Sequence, residues 1–258
     1  MTIGQETGWG RVVGGTAVVV LCGIWLMHTA SAQDPQVHYL PPGGMPPGAI
    51  GGQQLLRGGM LPGFFQPVEI RAPHGTLVSL AESGTFGPAQ PAPVRVGLLI
   101  GQVYRLCVVN IPTHEGLEVF PTVEVVNRLH TPRGQETRFP IIIDLTKEDL
   151  ELALDGKFVN RVIYLEDPLG ALPVRDDPQV QGWFDVKPSD DPLAVADRLG
   201  RVMAIVRIGG RVPDVRGLID MDFLFGCPPF LKLPPAGTAP PSATSKQAPP
   251  FAPTRTTP

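Results

Sequence analysis

Short apolar runs that alternate with polar residues and stop at glycine or proline recur through the middle of this chain. Val68-Glu69-Ile70-Arg71 alternates in this way and ends at the turn signal Ala72-Pro73-His74-Gly75. A period of two, in residues such as Val, Ile, Phe and Tyr, is typical of a β-strand. The same reasoning predicts strands at 76–80, 94–100, 104–110, 117–126 (interrupted at Pro121), 139–145, 158–165 and 202–208, the first of which would form a hairpin with 68–71.

The pattern changes to a helical one at only two places. Thr146 is followed three residues later by Asp149, which is a variant of the capping box, and Gly156 suits the end of that helix. The second helix is predicted to start at Asp190 or Asp191, with Pro192 in its first turn, and to end at Gly200. Because strands outnumber helices, we expect a mainly β fold: a β-sandwich, or a sheet-dominated α+β domain with two short helices.

Both flanks of this region differ from it in composition. Between Gln33 and Gly63, 14 of the 31 residues are Gly or Pro, and between Pro234 and Pro258 there are 8 prolines in 25 residues. Such segments carry few side chains that could offset the entropy of ordering. The predicted organisation is therefore a Pro/Gly-rich linker at 33–63, one β-rich domain at 64–233, and a disordered Pro-rich tail at 234–258.

The first 32 residues have the pattern of a secretory signal peptide. Arg11 precedes sixteen uncharged residues, 12–27, and Ala30-Ser31-Ala32 provides a small-x-small cleavage site. Cleavage near Ala32 would place the rest of the protein in the periplasm, the cell envelope or the medium. The alternative is an uncleaved anchor, since Glu6 weakens the basic end of the segment. The protein would contact a membrane only in that case.

Charge and cysteine content agree with an exported domain. The full chain has a net charge of −3, and its basic residues occur singly, so no nucleic-acid surface is predicted. Of the three cysteines, Cys22 lies in the signal segment. Cys107 and Cys227 would remain, and they could pair in one disulfide in an oxidising compartment. The alternative is that Cys107 is a small core residue.

No catalytic residue, cofactor site or metal site is predicted. The serines of the domain, Ser79, Ser83 and Ser189, lie outside any Gly-x-Ser-x-Gly motif. Its histidines all lie beside turn residues: His74, His114 and His130. The paired acids, Glu166-Asp167, Asp176-Asp177, Asp190-Asp191 and Asp220 with Asp222, do not follow the twelve-residue calcium-loop pattern, and adjacency in sequence does not give the geometry of a glycosidase.

One stretch resembles known sequences. The segment 156–168, with Asn110-Ile111-Pro112 and Phe120-Pro121-Thr122, is similar to a group of uncharacterised exported proteins of planctomycete-type bacteria. The resemblance covers about residues 94–213. It implies a secreted or envelope setting, and it implies no activity and no functional residue.

These observations predict a non-enzymatic structural or interaction protein of the cell envelope or periplasm, whose partner is an envelope protein or a polysaccharide. The first alternative is a carbohydrate- or ligand-binding β-sandwich module, which an exposed row of Trp or Tyr side chains would favour. The second alternative is a secreted hydrolase.

Overall fold

Two β-sheets stacked face to face form most of the described part of the protein, as the sequence pattern predicts. The computed structural model describes residues 45–56, 63–170, 182–187, 189–214 and 220–235. The predicted signal segment 1–32 and the tail beyond residue 235 lie outside these residues, as do Asp176 and Asp177. The described residues form a mainly β fold with three short helices.

The smaller sheet has four strands in the order β11-β5-β1-β8. Strand β1 (Phe65–Arg71) pairs antiparallel with β5 (Val94–Leu99) and parallel with β8 (Ile141–Asp144). Strand β11 (Phe230–Lys232) pairs antiparallel with the other side of β5. The smaller sheet thus has a short strand at each of its two edges.

The larger sheet has seven strands, with the main order β3-β2-β6-β7-β10-β9 and β4 also paired with β2. All its pairings are antiparallel. Its strands are β2 (Leu77–Glu82), β3 (Thr85–Phe86), β4 (Gln90–Pro91), β6 (Val103–Val109), β7 (Thr122–Val125), β9 (Val159–Glu166) and β10 (Gly200–Ile208). Strand β9 forms one complete edge of this sheet.

The main core lies between the two sheets. Val68, Ile70 and Leu98 of the smaller sheet belong to the same buried cluster as Leu106 and Val123 of the larger one. Alternate residues of the longer strands reach this core, which explains the period of two in their sequences. The fold is therefore a two-layer sandwich in which each sheet also has an outer face.

Tyr104 links the two sheets through its hydroxyl group. It lies on β6 and is almost fully buried, and its Oη accepts a hydrogen bond from Leu99 N–H at 2.9 Å and donates to the Pro229 carbonyl at 2.8 Å. Burial raises the pKa of this phenol to about 12, against the smaller opposing effect of the Leu99 hydrogen bond. A buried tyrosine that both donates and accepts fixes the distance between the layers.

Both predicted helices are present and begin where their caps predict. Helix α2 (Lys147–Leu154) has Thr146 as its N-cap, whose Oγ1 accepts from Asp149 N–H at 3.1 Å. Helix α3 (Pro192–Leu199) has Asp191 as its N-cap, and Leu193 N–H donates to its carboxylate at 2.8 Å. Gly156 has a φ of +77°, the left-handed conformation that suits its position after α2.

A third helix, α1 (Ala49–Leu56), lies within the segment 33–63, for which the composition predicts a Pro/Gly-rich linker. Met45 and Ile50 are buried against Val126 and Ile205 of the larger sheet. The high glycine content does not exclude a helix here, because a glycine allows the helix to approach a neighbouring turn closely. A Cβ on Gly51 would come within 2.8 Å of the Gly101 Cα, so this approach of helix and turn needs both glycines.

The predicted hairpin between 68–71 and 76–80 is wrong. Strand β1 lies in the smaller sheet, and β2, which follows it, lies in the larger sheet. The turn between them therefore crosses from one layer to the other. Both strands are apolar on the face that meets the common core, so their sequence pattern is the same for a hairpin and for a crossing.

Candidate functional site

An arginine–aspartate pair lies beside the free edge of the larger sheet. Asp149 occupies the first turn of α2 because Thr146 caps that helix, and its carboxylate is buried. Arg161 on β9 donates to both Asp149 oxygens, with Nη2 at 2.7 Å and Nε at 3.2 Å. Burial alone lowers the pKa of Arg161, but the hydrogen bonds and charge of Asp149 outweigh it and leave that pKa raised. Arg161 is thus a fixed, permanently charged group.

An exposed aromatic side chain, Trp183, contacts this pair, and a second, Phe184, follows it in the sequence. The Trp183 ring centroid is 4.6 Å from the Arg161 guanidinium carbon, which is a cation–π contact. Trp183 and Phe184 are each 52% exposed. Asp185, which follows them, is 4.0 Å from Arg161 Nη1. We call Trp183, Phe184 and Arg161 the aromatic patch. Large apolar side chains held in place at a surface are typical of binding sites.

The outer face of the larger sheet carries a buried row of polar residues. Arg105 on β6 lies opposite Thr122 on β7, and Thr122 lies opposite Arg207 on β10. Asn160 on β9 lies opposite Arg207 and ends the row. These residues alternate with core residues along their strands, so the row lies on the face away from the sandwich core.

Glu124 neutralises one arginine of this row. Its Oε2 accepts from Arg207 Nη1 at 2.8 Å, and the exposed fractions of the two side chains are 0% and 6%. Its other oxygen, Oε1, accepts from Gly51 N–H in the first turn of α1 at 2.8 Å. One carboxylate therefore stabilises both the arginine and the start of the helix. We read this row as structural support for α1.

Arg105 holds the segment 220–227 against the same face. It donates to the carbonyls of Phe223 and Phe120, each at 2.9 Å, and its guanidinium carbon lies 4.3 Å and 4.9 Å from the ring centroids of Phe223 and Phe225. Burial, and secondarily the charge of Arg211, lowers the pKa of Arg105 to about 10. These contacts satisfy the guanidinium within the fold.

The two cysteines that the sequence allowed to pair are both free thiols here. They belong to one apolar cluster with Ala81 and Phe223: Cys107 is buried within it, and Cys227 is half-buried against it. Burial, followed by the charge of Glu118, raises the pKa of the Cys107 thiol to about 11. The Cys227 thiol accepts from Gly84 N–H at 3.3 Å. Cys107 thus has the environment of a small core residue, which is the alternative expected from the sequence.

The structure places Ser79 and His114, two residues of the hydrolase alternative, in different environments. Ser79 is buried on β2 opposite Cys107. His114 instead hydrogen-bonds Thr113 and lies 3.9 Å from the Glu151 carboxylate of α2. Across the same described part of the chain, no group of three or more His, Cys, Asp or Glu residues has the arrangement of a metal site.

Three of the paired acids have local structural roles. Asp191 caps α3, and Asp220 accepts from Phe223 N–H at 2.8 Å. Asp167 accepts from Leu169 N–H at 3.0 Å in the turn that follows β9. The carboxylates of these three residues are therefore used in caps and turns.

A shallow cleft of about 120 Å³ lies between Glu82, Arg95 and Lys232, where the edges of the two sheets approach each other. Small-molecule sites usually occupy about 300–1,000 Å³, so this cleft is smaller than a usual ligand site.

Among the described helices, none is both long enough and apolar enough to cross a membrane.

Comparison with known proteins gives no relative for this chain. No family model, no curated protein and no solved structure matches it.

Proposed function

We propose that this protein is an exported, non-enzymatic structural or interaction protein of the cell envelope or periplasm, and that it binds an envelope protein through the aromatic patch. The signal-peptide pattern of residues 1–32 supports the location. The aromatic patch supports the role and is the observation on which the proposal rests. Trp183 and Phe184 expose half of their surface, and Arg161 holds Trp183 in place, so Trp183 would lose little side-chain entropy on binding.

The test is capture of partners from the native envelope by the tagged, exported protein. We expect one protein to be recovered by the wild type and to be lost with the double variant Trp183→Ala, Phe184→Ala. The matched control is Leu117→Ala, which removes a side chain that is 49% exposed elsewhere on the domain. Equal recovery by wild type and double variant would contradict the proposal, as would the absence of any recovered protein.

A carbohydrate-binding module is the second candidate, and Trp183 is the observation that favours it. An exposed indole beside Asp185 and Arg161 offers an apolar face with polar groups at its rim, which suits a sugar ring. The remaining described tyrosines do not extend it into a row: Tyr104 is buried, and Tyr164 lies on the opposite face of β9 from Arg161. Recovery of polysaccharide alone in the same capture experiment would place this candidate first.

A further inference from the structure

The free edge of strand β9 is the longest sheet edge in the described part of the chain. Strand β9 has eight residues, whereas the other terminal strands, β3, β8 and β11, have two, four and three. Natural sheets protect their edges by shortness, proline, inward charges or bulges. Strand β9 has no proline, and the bulge in its pairing lies on β10 between Val202 and Ala204. Within the described residues no strand pairs with its outer side.

The single internal charge of this strand does not protect the edge either. Arg161 is neutralised by Asp149, so it presents no free charge to an approaching strand. The residues on both faces of β9 are otherwise largely apolar and partly exposed: Val159, Val162, Ile163, Tyr164 and Leu165. An edge with these properties favours pairing with a further strand.

We propose that β9 pairs antiparallel with β9 of a second copy of this chain, so that the larger sheet continues across a symmetric dimer. A two-fold axis perpendicular to the sheet places the outer faces of both copies on the same side of the joined sheet. Residues that lie opposite each other must then point to the same face. The axis must therefore pass between a residue and the same residue of the second copy. The centre of β9 lies between Val162 and Ile163. The two copies of β9 therefore overlap over the greatest length when the axis passes through one of these two residues.

The charges that flank β9 select the axis at Val162. In that register Lys157 lies opposite Asp167 of the second copy, and by symmetry Asp167 lies opposite the second Lys157. Both residues are exposed, and the Lys157 ammonium lies 3.9 Å from the Asp155 carboxylate. Apolar residues also match, because Val159 comes opposite Leu165 and Val162 opposite itself.

The neighbouring registers are less favourable. An axis at Ile163 places Val159 opposite Asp167, and an axis at Arg161 places Lys157 opposite Leu165, so neither register keeps the pair of Lys157 with Asp167. Opposite charges across a strand pair stabilise it, and like charges destabilise it. The pattern of the strand and its flanks thus specifies one self-complementary register.

A cysteine cross-link tests the register directly. In a background with Cys22, Cys107 and Cys227 replaced by Ser, we expect Val162→Cys to form a disulfide-linked dimer under mild oxidation, because directly opposite residues have Cα atoms within the range that a disulfide spans. Ile163→Cys is the matched control and should remain monomeric on a non-reducing gel. Equal cross-linking of both variants, or of neither, would overturn the proposal.

A charge exchange tests the two ends of the interface. By sedimentation equilibrium of the exported full chain, we expect Lys157→Glu to raise the dimer dissociation constant at least about fivefold, since two surface pairs become repulsive. Adding Asp167→Lys to it should restore the wild-type value. A monomeric wild type, or a double variant no better than the single one, would contradict the inference.

This inference goes beyond the proposed function, and the two can fail separately. It concerns the backbone edge of β9 and a second copy of the chain, whereas the proposed function concerns the aromatic patch and an envelope partner. A monomer that still captures an envelope protein would overturn only the dimer. A dimer that captures nothing would overturn only the proposed function.

Discussion

At the scale of single residues, Glu124 and Arg207 are charged residues with an apolar neighbour on each side. The sequence around Glu124, Thr122-Val123-Glu124-Val125, has the alternation of a strand with one solvent-exposed face. The outer face is instead covered, and the charge is buried with its partner. A charge between apolar neighbours in each of two strands indicates such a pair, but spacing alone does not say which two charges meet.

We expect Glu124→Gln to destabilise the protein by about 3–5 kcal/mol, since it leaves the Arg207 guanidinium buried without a counter-charge. The free energy of unfolding in urea measures this. Glu118→Gln is the control, because Glu118 is exposed on a loop, and it should change stability by less than about 0.5 kcal/mol. Similar values for the two variants would show that Glu124 does not hold Arg207.

Tyr104 predicts a loss of stability at alkaline pH. The unfolded phenol ionises near its ordinary pKa of 10, and the folded one only near 12, so the unfolded state loses its proton first and stability falls as the pH rises between these values. Tyr104→Phe should remove this part of the pH dependence, at the cost of two hydrogen bonds at all pH values. If absorbance titration shows every tyrosine of the folded protein ionising near pH 10, the assignment is wrong.

The cysteines make a prediction about reactivity. In a Cys22→Ser background the native protein should react with a thiol reagent first at Cys227, because Cys107 is buried. The raised pKa of Cys107 lowers its thiolate population about a hundredfold below that of an unperturbed thiol at neutral pH. Mass spectrometry of the labelled sites reports the order. If neither thiol of the exported protein reacts before reduction, the disulfide predicted from the sequence has formed.

At the scale of elements, the caps and the strand periods were predictable because their physical causes are local. Thr146 and Asp191 stand at the starts of α2 and α3 because a side-chain oxygen two or three residues before an N–H can reach it. Helix α1 was missed for the opposite reason. Its stability depends on Gly101 and Glu124, both far away in sequence, while its own composition argues against a helix.

Two adjacent glycines in α1 should therefore respond in opposite ways. Gly51→Ala places a Cβ 2.8 Å from the Gly101 Cα and should destabilise the protein by about 1–3 kcal/mol. Gly52→Ala meets nothing within 4 Å and should stabilise it by up to about 1 kcal/mol, since alanine is the better helix former. Urea unfolding of the two variants provides the comparison, and effects of the same sign would exclude the docked helix.

At the scale of the whole molecule, the outer face of the larger sheet is covered, and contact with other molecules is expected at one edge of this sheet. Helices α1 and α3 and the segment 220–227 pack on this face, and strand β9 is left at its edge. The aromatic patch lies beside that edge. Binding by this protein is therefore expected at one side of the larger sheet.

Export is tested on the whole chain. We expect the native protein to begin at Gln33, as measured by mass spectrometry of its intact mass and N-terminal peptide. Ala32→Arg should block processing, because the position before the cleavage site requires a small residue. Recovery of wild-type protein with residues 1–32 intact would favour the anchor.

The sequence by itself determined the strand periods, the two capped helices and the mainly β class, because alternation and capping depend on residues a few positions apart. Only the tertiary structure decided the layer to which each strand belongs, as β1 and β2 show, since a strand with one apolar face fits either sheet. Only the tertiary structure brought Glu124 to Arg207 and Gly51, and Arg161 to Asp149 and Trp183. These contacts join residues between 12 and 83 positions apart, and no local pattern specifies which of the available charges will meet.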